Sequence, residues 1–221
     1  MKTYVLAACA ALLPIAATAA PVALSYTGTV SSINEADNSP LISYGPYAIG
    51  DSVAGDIMLD VTAGVASVTS FSLTVNGNLF TAGSATADVR DNVAAGSSAP
   101  ERDTFRVTGT SITGPSAFGT DAPVVMQFAI GGTDTSVLSD ETFPTAAQLF
   151  ALFAADTVGG DLNYLSFDDA SPTGYPDVRF TLDTFLVNGE SSAPAVPLPA
   201  GLPLILAGVG SLALLRRRAK V

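Results

Sequence analysis

The chain has 221 residues, of which 48% are hydrophobic and only 13% are charged. An average soluble protein has about 25% charged residues, so this chain is too apolar for general disorder and too lightly charged for a typical cytosolic enzyme. The sequence has no His and a single Cys, which excludes acid–base catalysis by His, metal or haem ligation by His, and an internal disulfide framework.

Charge is distributed unevenly along the chain. Residues 20–195 contain four arginines against all twenty acidic residues, a net charge of −16. Such a surface repels phosphate backbones and anionic lipid, so nucleic acid is excluded as a partner. This balance is typical of an acidic secreted protein, and it also suits a protein that binds divalent cations or polycations.

The first predicted element is a secretory signal peptide over residues 1–19. Lys2 supplies its positive start, and an apolar stretch follows over residues 4–15. Ala17 and Ala19 then have the A-x-A spacing recognised by signal peptidase, which places the cleavage after Ala19. The alternative is a lipoprotein signal, because Leu-Ala-Ala-Cys ending at Cys9 has the letters of a lipobox. The apolar stretch before Cys9 is too short for that interpretation.

Residues 20–190 predict one acidic, extracytoplasmic domain of antiparallel β structure. Short runs of alternating apolar and polar residues are separated by Gly, Asn, Asp and Pro. The predicted strands cover residues 24–33, 56–61, 70–75, 78–80, 102–110, 124–130, 164–168 and 178–187. We therefore expect a mainly β fold, an antiparallel β-sandwich or jelly-roll-like single domain.

Two local patterns are more specific. Asn76-Gly77 lies between two alternating runs and predicts a type I′ hairpin turn, because both residues accept a positive φ. Residues 144–155 predict the one short helix, with Pro144 in its first turn and apolar residues, Leu149 and Leu152 among them, on one face.

Little catalytic chemistry remains for this domain. A Ser nucleophile would need a Lys base in place of His, and residues 20–190 contain no Lys. A glycoside hydrolase that uses paired carboxylates is the enzymatic alternative, although the Trp residues that usually stack on sugars are missing. Its candidate carboxylates are Asp161, Asp168, Asp169, Asp177 and Glu190.

A calcium site is the one cofactor site that the residue types suggest. Asp161, Asn163, Asp168 and Asp169 lie within nine residues and offer the oxygen ligands that this hard cation requires. Solvated turn residues are the alternative interpretation. Tyr164, Phe167 and Tyr175 in the same stretch would form either a platform for sugar or part of the core.

The chain ends in a predicted membrane anchor. Residues 191–215 carry no charge, and Arg216, Arg217 and Arg218 follow as a stop-transfer signal in a cytoplasmic tail over residues 216–221. A Pro-rich stalk over 191–200 precedes the predicted transmembrane helix over 201–215. Its densest apolar part gives about 21 Å of helix, which is short of the roughly 30 Å hydrocarbon core.

A motif stands directly before this helix. It is formed by Val196, Pro197, Leu198, Pro199 and Ala200. Followed by a short hydrophobic helix and a terminal Arg run, it resembles the PEP-CTERM sorting tail of Gram-negative surface proteins in its VPLPA variant. The resemblance implies that an exosortase recognises these five residues and removes the helix, which delivers the protein to the cell surface or to extracellular polysaccharide. It covers about residues 196–221 and implies nothing about the central domain.

These patterns together predict an exported, non-enzymatic surface or matrix protein of a Gram-negative bacterium. We expect signal peptidase and exosortase to process it. The C-terminal helix is expected to hold it transiently in the inner membrane, and the mature protein is expected to associate with extracellular polysaccharide. A permanently anchored ectodomain and a glycan-active enzyme are the alternatives.

Overall fold

A computed structural model describes residues 20–34, 40–41, 43–94, 101–117, 121–156, 162–168 and 176–191. They belong to the first of two units into which the chain divides, Met1–Ser191 and Ser192–Val221. The predicted signal peptide, sorting motif, membrane helix and basic tail lie outside the described residues.

The described residues form twelve strands and one helix. The strands are β1 Ala20–Asn34, β2 Pro40–Leu41, β3 Ser43–Tyr44, β4 Tyr47–Ala48, β5 Ser52–Thr62, β6 Val65–Val75, β7 Asn78–Ala94, β8 Glu101–Thr113, β9 Ala122–Gly132, β10 Tyr164–Asp168, β11 Asp177–Val187 and β12 Glu190–Ser191, and the helix is α1 Ala146–Ala154. The mainly β, antiparallel architecture with one short helix is therefore as predicted.

The sheet closes on itself, which corrects the expected sandwich or jelly roll. Neighbouring strands follow the order β11-β10-β9-β8-β7-β6-β5-β1, and β1 also pairs with β11, so that eight strands form a closed antiparallel barrel. Closure depends on β1, which pairs with β5 over residues 20–29 and with β11 over residues 24–34. Two register irregularities between β1 and β11 permit the bending that this double pairing needs.

The predicted hairpin is present between β6 and β7. Asn76 and Gly77 have φ values of 49° and 76°, as a type I′ turn requires. Phe71, Leu73 and Val75 are buried, because alternate side chains of β6 face the interior of the barrel. Alternation and turn chemistry thus fixed both the position and the facing of this hairpin.

The predicted helix is also present, two residues shorter at its start. Thr145 caps it, because the hydroxyl of Thr145 accepts the backbone N–H of Gln148, while the Gln148 side chain accepts the backbone N–H of Thr145. Leu149 and Leu152 are buried. Phe153 lies 5.6 Å from Phe185 of β11 between ring centroids, so the helix packs against the end of the barrel where β11 finishes.

Aromatic rings fill the barrel. Tyr26 stacks on Phe128 at 4.7 Å between ring centroids and on Phe180 at 6.2 Å. At the end opposite α1, Tyr47 on the short β3–β4 hairpin packs against Phe167 at 5.6 Å. Eight strands enclose a space just wide enough for side chains, so the interior is a packed core with both ends covered.

Candidate functional site

The sorting residues cannot be placed in the fold. Ala17 and Ala19 of the cleavage site, the motif from Val196 to Ala200, and the basic run from Arg216 to Arg218 all lie outside the described residues. Within the described ranges, no helix combines the length and apolar character needed to cross a membrane. The helix predicted over residues 201–215 lies outside those ranges.

The structure does not bring the calcium candidates Asn163 and Asp168 together. Asn163 is fully buried, its side-chain oxygen accepts the Ala129 N–H at 2.6 Å, and its side-chain N–H donates to the Ala129 carbonyl at 3.0 Å. Asp168 is exposed at the other end of β10, roughly 16 Å along the chain. Asn163 therefore extends the backbone pairing of β9, and the two residues cannot bind one ion.

The other two calcium candidates, Asp161 and Asp169, lie outside the described residues. Among the residues that are described, no group of three or more acidic, His or Cys side chains is placed to hold a metal ion.

The described carboxylates proposed for glycan hydrolysis are not all brought together. Both oxygens of Asp177 are engaged, one by the Asn34 amide and the other by Arg179, each at 2.9 Å. Glu190 follows the far end of β11, roughly 33 Å away along the strand, whereas glycosidase carboxylates stand about 5 to 9.5 Å apart. Asp168 and Asp177 lie at the same end of neighbouring strands, with Ser166 directly opposite Asp177.

The aromatic residues of this stretch divide between core and surface. Phe167 is fully buried against the β3–β4 hairpin, so it belongs to the core. Tyr164 is half-buried on the outer face, directly opposite Arg179. Burial is the largest influence on its hydroxyl and raises the pKa of that group. Tyr175 lies outside the described residues. Because Phe167 is buried, it does not contribute to the predicted platform for sugar.

A buried carboxylate instead marks the end of the barrel beneath α1. Asp103 of β8 is fully buried, and its two oxygens accept the backbone N–H groups of Asn92 at 3.0 Å and of Leu138 at 2.8 Å. These groups belong to the β7–β8 hairpin and to the segment between β9 and α1. Asp103 thereby fastens both segments to the barrel.

More acidic residues surround Asp103. Burial, followed by the negative charges of Asp103, Asp140 and Glu141, raises the pKa of Asp91 above its ordinary value. The four carboxyl groups form what we call the acidic cluster: Asp91, Asp103, Asp140 and Glu141. Sequence spacing could have indicated part of it, because Asp103 shares the period-two face of Phe105 and Val107 and so had to point inward.

Next to the acidic cluster, Asp88 of β7 forms ion pairs with two of the few arginines. Its Oδ2 accepts the Arg90 Nε–H at 2.6 Å and an Arg106 N–H at 2.7 Å. Burial alone would raise the pKa of Asp88, but the hydrogen bonds and charges of Arg90 and Arg106 together lower it. This carboxylate is therefore committed to its own arginines.

A cavity of about 210 Å³ opens on the outside of the barrel where β6 and β7 separate. We call it the β6–β7 groove. Its walls are formed by Gly64, Val65, Ala66, Ala87, Asp88, Val89, Glu141 and Phe143. This groove could not be predicted from the sequence, because the residues of β7 beyond position 80 are rich in Ala, Ser and Thr and carry no clear strand pattern.

The described part of the chain is thus a closed antiparallel barrel with a packed aromatic interior. The acidic cluster lies at one end of it, and the β6–β7 groove lies beside that cluster. Comparisons of the chain with protein-family models, with curated proteins and with solved structures found no match.

Proposed function

We propose that this protein is exported by a Gram-negative bacterium and delivered to the cell surface or extracellular matrix by its VPLPA-type tail, where it serves as a non-enzymatic, polysaccharide-associated component. The observation that carries the proposal is the order of the last residues: the motif from Val196 to Ala200, a short uncharged apolar stretch, and then Arg216 to Arg218. The same order and spacing define the sorting tails that this one resembles.

The character of the apolar stretch favours removal over permanent anchoring. Its densest part, residues 202–215, would reach about 21 Å as a helix, while a comfortable span needs about 30 Å. Pro197 and Pro199 stiffen the segment in front of it and alternate with Val196, Leu198 and Ala200, which offers a protease an extended strand at low entropic cost.

The domain suits a structural role outside the cell. A net charge of −16 over residues 20–195 keeps molecules soluble by mutual repulsion. If Cys9 leaves with the signal peptide, the mature chain contains no thiol, as suits an oxidising environment. The packed interior supports a scaffold, since core rings such as Tyr26 and Phe128 occupy the space that a ligand would need.

The intact mass of the protein recovered from the cell surface tests the proposal, because it reports both cuts. We expect a chain that begins at Ala20 and lacks the apolar stretch. Replacing both Pro197 and Pro199 by Ala is expected to leave the tail attached and the protein at the inner membrane. The matched control is Pro194→Ala, the same change just before the motif, which we expect to be processed normally.

Two results would replace the proposal. Surface protein that retains residues 201–221 in cells that contain the sorting protease would indicate a permanently anchored ectodomain. Glycan turnover by the purified protein that disappears on Asp168→Asn or Asp169→Asn would indicate an enzyme.

A further inference from the structure

β6 and β7 leave two strand edges open. They pair over four residues each, from Ser72 with Thr81 to Val75 with Asn78. Beyond these pairs, and within the described residues, β6 pairs only with β5 and β7 only with β8. The two strands therefore face each other across the β6–β7 groove with backbone groups available on both sides.

The turn before β6 fixes which backbone groups face the groove. Ala63 and Gly64 have φ values of 51° and 80°, a two-residue type I′ turn closed by Thr62 opposite Val65. The closing pair of such a turn is hydrogen-bonded, so the N–H and C=O of Val65 point towards β5. Those of Ala66 and Val68 consequently point away from β5 and into the groove.

The groove also has an apolar floor. Ala66, Val68, Ala87 and Val89 are only partly buried, although they pack against the barrel core. Val65 on the rim is 68% exposed. A cavity of about 210 Å³ between these walls has room for an aliphatic side chain.

The charge around the groove selects the kind of occupant. Asp88 on its wall is already paired with Arg90 and Arg106, so the selection rests on Glu141 and the acidic cluster. Glu141 on its wall is exposed, and it belongs to the acidic cluster, whose mutual repulsion is one reason that the pKa of Asp91 is raised. A second copy of this chain would bring another domain of net charge −16 and would be repelled. A positively charged segment would instead relieve the repulsion.

We propose that the β6–β7 groove binds an extended, cationic segment of a partner protein, which adds a strand to the open edge of β6 and places an apolar side chain in the cavity. Backbone hydrogen bonds to Ala66 and Val68 supply affinity, and Glu141 with its acidic neighbours supplies selection by charge. This proposal does not depend on the sorting tail.

Titration of the purified mature protein with two synthetic peptides tests it, one alternating Lys and Val and the other alternating Glu and Val. We expect only the Lys–Val peptide to bind, with an affinity that falls as salt is added. Glu141→Lys is expected to weaken binding about tenfold, because reversing an exposed charge changes the interaction by about that factor. The matched control is Glu190→Lys, the same change on β12, across the barrel from the groove, which we expect to leave the affinity within about twofold.

Ala87→Phe fills the cavity and is expected to abolish peptide binding while the melting temperature stays near that of the unmodified protein. Should that variant fail to fold, Glu141→Lys on the exposed rim still decides the question. Equal binding of both peptides, or equal weakening by Glu141→Lys and Glu190→Lys, would overturn the proposal. Dimerisation of the protein without peptide that Ala87→Phe prevents would also overturn it, because the occupant would then be a second copy.

Discussion

Asp103 offers the sharpest test of how the barrel holds its covered end. Its carboxylate is fully buried and accepts two backbone N–H groups, from Asn92 at 3.0 Å and from Leu138 at 2.8 Å. Asp103→Asn keeps the shape of the side chain but leaves one oxygen and one NH₂ group. One backbone N–H then meets a donor instead of an acceptor, and the other loses the help of a full charge.

The expected cost follows from these two contacts. A hydrogen bond to a charged group contributes about 1.5 to 3 kcal/mol, and a buried donor left unpaired costs about 1 to 3 kcal/mol. Removing one negative charge from the acidic cluster returns part of that loss. We expect a net loss of about 2 kcal/mol in the free energy of unfolding, which for a domain of this size lowers the melting temperature by about 4 to 8 °C.

Thermal denaturation followed by circular dichroism measures this change. The matched control is Asp60→Asn, the same substitution at an exposed position of β5, which we expect to shift the melting temperature by less than about 1 °C. A melting temperature for Asp103→Asn equal to that of the control would refute the inference that this carboxylate fastens the hairpin and the segment before α1.

Three further outcomes follow from the structure. The pKa of Asp91 is raised by burial and by its acidic neighbours, so its ionised form destabilises the fold. Asp91→Asn should therefore raise the melting temperature at neutral pH. The gain should vanish below pH 3.8, where the carboxyl of Asp91 is protonated in the folded and in the unfolded protein. The pKa of Asp88 is lowered, because its two arginine partners outweigh the effect of burial. Asp88→Asn should lower the free energy of unfolding by about 1 kcal/mol at neutral pH. The difference in denaturant midpoint between the two proteins should disappear as pH falls through that lowered pKa. At Gly55 an added Cβ would clash with the Tyr26 ring, so Gly55→Ala should lower the free energy of unfolding by about 1 to 3 kcal/mol. In a double-mutant cycle, Tyr26→Leu should recover most of that loss. Additive losses for the two substitutions would contradict the contact.

The parts of the fold that follow from local chemistry could be predicted from the sequence. Asn76-Gly77 specifies its turn because both residues tolerate positive φ, and Thr145 with Gln148 caps the helix just inside the predicted range. The turn at Ala63-Gly64 has the same geometry but went unpredicted, since Ala at positive φ is disfavoured and is here imposed by the strands on either side.

Closure of the sheet could not be predicted in the same way. A strand of a sandwich and a strand of a barrel both bury alternate residues, so Leu24, Tyr26 and Val30 fit either architecture. The two differ in whether the edges of the sheet meet. That depends on the pairing of β1 with both β5 and β11, between residues more than 150 positions apart in the case of Leu24 and Val187.

The candidate site was harder to predict, because a residue type shows which atoms are available and not what they bind. Asn163 carries an oxygen suited to calcium. It is buried beside a stretch of β9 that β10 does not reach, so the backbone of Ala129 becomes its partner. Asp103 shows the reverse case. Its spacing from Phe105 marked it as inward-facing, but only the fold brings Asn92 and Leu138 to its oxygens.

The packed interior determines where any binding by this domain must occur. Tyr26, Phe128 and Phe180 stack across the middle of the barrel, and a ligand could enter only by displacing rings that each contribute about 1.5 to 3 kcal/mol of burial. Recognition therefore belongs to the outer surface, where side chains can change without loss of the core. Of the outer features described, the β6–β7 groove alone combines open backbone edges, apolar walls and the charge of Glu141 beside the acidic cluster. Such a combination gives both affinity and selectivity to an extended partner.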